Sequence, residues 1–138
     1  MIHGGIDGYS RLITYLQCSN NSRSDTVLAA FVGACEVFGV PSRVRSDIGE
    51  ENIDIWQYMT ATRGEHRGSY IAGPSVHNTR IERLWRDVYT AVTTVYVKIF
   101  LELEESGALD PNNDADIFCV HFVFLPRINS YLKAFSTA

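Results

Sequence analysis

The sequence has no run of about 18 apolar residues, no Cys-x-x-Cys pair and no clustered histidines. The first absence argues against a helical membrane span. The other two argue against a structural zinc site, which needs paired Cys or His ligands. Of the three cysteines, Cys18, Cys35 and Cys119, the last two lie in apolar stretches and read as packed thiols, as in a reducing compartment. Met1–Gly5 lacks the basic and apolar regions of a signal peptide. An intracellular protein of the nucleus or cytoplasm, with no membrane partner, is the expectation. Basic excess is missing too: the net charge of −4 excludes a broadly basic nucleic-acid binder. The imbalance is uneven, however. Residues 43–86 carry seven arginines against six acids, while the rest carries five bases against ten acids. An arginine-bearing face on an acidic body can still contact phosphates.

At 138 residues the chain is long enough for one domain with a core of its own. No repeat, linker or low-complexity stretch divides it. Residues 2–7 and 12–16 read as strands joined by Gly8-Tyr9-Ser10-Arg11. A helix follows, with Ser24 as N-cap and Asp25 in its first turn. Its apolar stripe is Val27, Leu28, Phe31, Val32, Cys35 and Phe38, and Gly39 and Pro41 end it. Residues 42–47 form a short strand ending in the carboxylate of Asp47. The strand–helix–strand order favours a parallel pair and an α/β domain. Residues 53–63 read as a helix with Ile53 and Trp56 inward and Met59 a further candidate, and residues 63–75 as a Gly-rich loop.

A long helix runs from about Thr79 to Glu105, started by Asn78 or Thr79. Ile81, Leu84, Trp85, Val88, Val92, Val95, Ile99 and Leu103 form its buried stripe. Glu82 sits in its first turn, where the helix dipole favours an acid. Alone, Glu82 reads as a solvated residue pairing with Arg86 four positions on. Asp110–Asp114 alternates oxygen side chains but lacks the glycine and glutamate of a calcium loop, so it reads as a turn and helix cap. Residues 117–125 are an apolar final helix, broken or kinked at Pro126, with His121 a satisfied core or edge histidine.

Asp47-Ile48-Gly49 at a strand end, then Glu82-Arg83 at a helix start, resembles the integrase core of retroviruses and retrotransposons. Ile6-Asp7-Gly8-Tyr9-Ser10-Arg11, Arg45-Ser46-Asp47, Gly68-Ser69-Tyr70 and the run His77–Asp87 bring it closer to transposon-derived integrase-core proteins of animals. The resemblance covers nearly the full chain. It implies a mixed ribonuclease H-like sheet flanked by helices, and Asp-Asp-Glu chemistry in which carboxylates hold Mg2+ or Mn2+ to transfer DNA strands. It implies Asp47 and Glu82 as catalytic and metal-binding residues, DNA as partner, and leaves room for a homo-oligomer. Arg63, Arg67, Arg80, Arg83 and Arg86 around the loop and helix start are the expected nucleic-acid-binding residues.

The third acid is the difficulty. Asp7 invites the role, but residues 6–12 resemble the family's second strand, not its first with Trp-x-x-Asp. Asp7 then has a structural reading, a turn acid satisfying backbone N–H groups near Tyr9. The expectation is a single core domain, truncated at its N-terminus, without the first strand and its Asp, and catalytically incomplete. Ile48, where the family usually has Asn, points the same way. A non-catalytic nucleic-acid-binding or protein-interaction domain left by a transposable element is the alternative.

Overall fold

The computed structural model describes residues 1–138 and shows a mixed α/β chain with two small sheets. β1 (Ile2–Ile6) and β2 (Ile13–Cys18) form an antiparallel ribbon. Its register runs from Ile2 opposite Cys18 to Gly5 opposite Tyr15, then skips to Ile6 opposite Ile13. Thr14 is the extra residue of this β-bulge, and it adds local twist. After α1 (Ser24–Phe38), the short β3 (Val44–Ser46) leads through a 3-10 turn at Glu50–Asn52 into α2 (Ile53–Arg63). β4 (Tyr70–Ala72) then returns parallel to β3, with Val44 opposite Tyr70. The parallel pair therefore spans α2 and not α1, so β2 and β3 lie in different sheets. β4 falls inside the stretch read as loop. Its three residues, set between Gly68 and Gly73, are too few to show a strand period, and pairing with β3 creates it.

The C-terminal half is helical. α3 (Thr79–Val88), a π-helical turn (Tyr89–Thr93) and α4 (Thr94–Glu105) form one continuous rod. The wider turn retards the helix phase by about one residue. The buried stripe consequently runs Leu84, Val88, Val92, Tyr96, and Val95 turns out to solvent, 53% exposed against 8% for Tyr96. Gly107, in the left-handed region at φ 77°, closes the rod, its N–H donating to Glu104 O. Asn113 caps α5 (Asp114–Thr137) by accepting from the N–H groups of Ala115 and Asp116. Pro126 lies within α5 without ending it. Asn129 of α5 clamps the ribbon, accepting from Cys18 N at 2.8 Å and donating to Cys18 O at 2.9 Å. No helix is long and apolar enough to cross a membrane.

The core has two parts. Cys18, Leu84, Val88, Val92, Tyr96 and Leu132 form one, under the β1–β2 ribbon and between the long rod and α5. Val27, Phe31, Cys35, Ile55 and Met59 form the other, between α1, α2 and the β3–β4 pair. Several expected positions differ. In α2 the inward pair is Ile55 and Met59, one turn apart, leaving Ile53 and Trp56 about half exposed. Phe38 at the open end of α1 is also exposed. Cys18 is buried and Cys119 exposed, because the face of α5 bearing Cys119, Phe118 and Phe122 turns away from the rod. Ser24 does not cap α1: its hydroxyl donates instead to Asp54 Oδ2 at 2.9 Å, tying α1 to α2. Asn78 precedes α3 and is buried, with no side-chain capping bond.

Candidate functional site

A cavity of about 530 Å3 forms a groove between the two sheets. β1 and its turn form one wall, β3 and the segment to Asn52 the other, and the start of α3 the third. Asp7, Asp47 and Glu82 all line it, with Arg43, Arg45 and Arg80 among them. Asp47 follows β3 directly, and its Oδ1 accepts from Asn52 Nδ2 at 3.1 Å. Glu82 projects from the first turn of α3 and is exposed.

The Asp7 carboxylate is committed locally. Its Oδ2 accepts from Tyr9 N at 3.2 Å, Ser10 N at 2.7 Å and Ser10 Oγ at 2.7 Å. The Ser10 bonds, with Arg80 nearby, hold this carboxyl below the usual aspartate value. No three His, Cys, Asp or Glu side chains are grouped to hold a metal ion. The donor set therefore does not fit a pair of divalent cations, which requires several convergent carboxylates.

The arginines divide by what they bind. Arg63 Nε donates to Pro41 O at 3.2 Å, and its Nη2 to Val40 O. Arg67 donates to Ser42 O at 3.1 Å and Ser42 Oγ at 3.0 Å. They thus fasten the end of α2 and the loop after it to the segment before β3, with part of their donor capacity consumed. Arg80, Arg83 and Arg86 make no ion pair, the sole one in the chain being Arg23–Asp25. The Glu82–Arg86 pairing is absent. Arg80, Arg83 and Arg86 are exposed on α3, the first two in its first two turns and Arg86 in its last. A helix N-terminus adds free N–H groups and a positive dipole end there.

Arg43 and Arg45 were not among the expected site residues. Their signal was the alternation Arg-Val-Arg-Ser, which sends both to one side of β3. Tyr15 and Tyr70 also line the groove. Burial pushes the Tyr15 hydroxyl up to about 12. Burial also raises Tyr70, which is hydrogen-bonded to Ser46 Oγ and faces Asp47 and Glu51.

A family model described as "Integrase core domain" matches residues 1–138. No curated protein and no solved structure matches the chain.

Proposed function

Because the chain belongs to the integrase core domain family, matched along its whole length, we propose that it is a nucleic-acid-binding core of the Asp-Asp-Glu polynucleotidyl-transferase type that does not complete the transfer reaction by itself. The observation that carries this is the company of Glu82. It faces the same groove as Asp47 and Arg80, with Arg83 and Arg86 unpaired on the same helix, and the acids lining the groove form no group of three that could hold a metal ion. The arginines favour a phosphate chain through charge-assisted hydrogen bonds. Integrase cores work with divalent cations. Asp47 and Glu82 are the residues of this chain suited to one Mg2+ or Mn2+, and a single ion would relieve their repulsion toward a phosphate. The two sheets are read as parts of one ribonuclease H-like sheet that lacks a strand between β1 and β3. That missing strand is where the family's first acid would lie.

An anisotropy titration with a fluorescent DNA duplex tests the reading. Binding strengthens with Mg2+ at constant ionic strength, and log K falls with log salt at a slope of roughly −3 if three arginines meet phosphates. Arg80→Ala/Arg83→Ala weakens it at least about tenfold. Arg63→Ala and Arg67→Ala chiefly lower stability. Salt-insensitive binding, or equal affinity for the double variant, counts against it. Magnesium-dependent joining of a labelled duplex, abolished by Glu82→Gln, would show instead that the core is complete and that Asp7 serves as a ligand.

A further inference from the structure

Away from the groove, a second cavity of about 340 Å3 opens between the long rod and α5. The π-helical turn that carries Tyr96 inward leaves Val95 on the shoulder of the rod, and such turns recur at functional sites. Val95 and Ile99, one turn apart, make an apolar floor with Phe124 of α5. Arg127, Ser130 and Tyr131 share the facing side of α5, at three- and four-residue spacing, and form the rim. Arg127 is the single charged residue of the lining, and no acid accompanies it.

The polar side chains at this pocket have no partner in the protein. The nearest side-chain hydrogen bonds along the two helices belong to Thr94 and Asn129. Arg127 is in no ion pair. Ser130 and Tyr131 are exposed, so water satisfies them. Tyr96 differs. It is 8% exposed, yet its hydroxyl has no acceptor in the chain and is not fully enclosed. The pocket is the opening left to it. Burial raises the pKa of this hydroxyl, Tyr131 adds to the shift and Arg127 opposes it, so the three groups lie close together. A guanidinium and a phenol are both donors, and a carboxylate accepts from each. The rings already pack edge-on: Tyr96 meets Phe124 at 82° and Tyr131 at 83°, with centres 6.1 Å apart in both pairs. A further ring extends that packing.

We propose that this pocket binds a small aromatic carboxylate, its ring against Val95, Ile99 and Phe124 and its carboxylate accepting from Arg127 and the Tyr96 hydroxyl. The volume falls in the lower part of the range for small-molecule sites. One cation matches a monoanion, whereas a phosphate chain would find no second cation in the lining. None of the seven lining residues lines the groove, so the site is independent of the nucleic-acid reading.

The test titrates the full chain with 2-naphthoate and follows the backbone amides by NMR. Shifts centred on residues 95–99 and 124–131 are expected, saturating with a Kd on the order of 0.1–1 mM. 2-Naphthamide, of the same shape without the charge, binds at least about tenfold more weakly. Arg127→Gln lowers the affinity for 2-naphthoate about tenfold, and Tyr96→Phe, which removes only the hydroxyl, about threefold or more. Equal affinity for acid and amide overturns the proposal, as do unchanged affinity in either variant and the absence of saturable shifts at ~10 mM. Shifts centred on residues 43–52 and 79–85 overturn it too, placing the anion with the arginines of the groove. The comparison of acid with amide in the unaltered chain decides the matter even if a variant does not fold.

Discussion

One oxygen of Asp7 receives three hydrogen bonds from a turn four residues long, so its chemistry is set by neighbours in sequence. The side-chain bond from Ser10 is the largest cause of its lowered pKa. Ser10→Ala should therefore raise the Asp7 carboxyl toward the ordinary aspartate value, read by NMR titration. An unchanged value would mean that the hydroxyl bond does not form in solution. The sign is that of a depressed acid: its stabilising effect is present above the unfolded pKa and is lost as pH falls through the folded one. Tyr15 works in the other direction. Its folded pKa is raised to about 12, so its contribution is present below its unfolded value of 10.0 and disappears as pH climbs to about 12. A shift of that size corresponds to roughly 2–3 kcal/mol, an upper figure for a ring that keeps some exposure. Tyr15→Phe should flatten the alkaline limb of a stability-against-pH curve between those values, as measured by urea unfolding. An equally steep limb in the variant would place the titrating group elsewhere.

Among the elements, the π turn decides the most. Without it the apolar positions Val88, Val92 and Val95 would share a face; with it Tyr96 takes the inner place and packs edge-on against Phe124, 6.1 Å between ring centres. Tyr96→Ala should cost about 3 kcal/mol or more, while Val95→Ala stays within about 0.5 kcal/mol. Chemical denaturation of the two variants distinguishes the registers, since a regular helix would reverse their order. The phase of α2 teaches the same lesson on a smaller scale. Ile53, Ile55, Trp56 and Met59 offer two apolar stripes, and only the packing of α1 selects Ile55 and Met59. The element types were otherwise legible. The bounds of α1 and α2 follow from Gly39 and Gly64 after their last turns, and the cap of α5 from Asn113.

For the whole molecule, the divided core implies divided dynamics. Leu132 and Met59 are both fully buried, one in each cluster. Leu132→Ala should destabilise by about 2–5 kcal/mol and speed amide exchange in β1, β2 and α5 while leaving α1 and α2 nearly unchanged. Met59→Ala should do the converse. Uniform acceleration by either variant in native-state exchange would show one cooperative unit spanning the groove. The same division bears on the site, because Asp47 belongs to a wall built by one cluster and Glu82 to a helix anchored in the other.

The sequence by itself determined the family and the order of most elements, and of the charged residues that line the groove it singled out Asp7, Asp47, Arg80 and Glu82 but not Arg43, Arg45 or Glu51. These rest on local chemistry: glycine punctuation, helical periodicity, and acids and arginines at fixed places along the chain. It also carried the turn role of Asp7, whose partners lie within three residues. Only the tertiary structure decided that Arg63 and Arg67 bind backbone carbonyls across 22–25 residues while Arg80, Arg83 and Arg86 stay unpaired. It alone separated the sheets and made β4 a strand. Hydrogen bonds between distant segments, and the phase added by one wide helical turn, depend on which surfaces meet, and no local pattern records that.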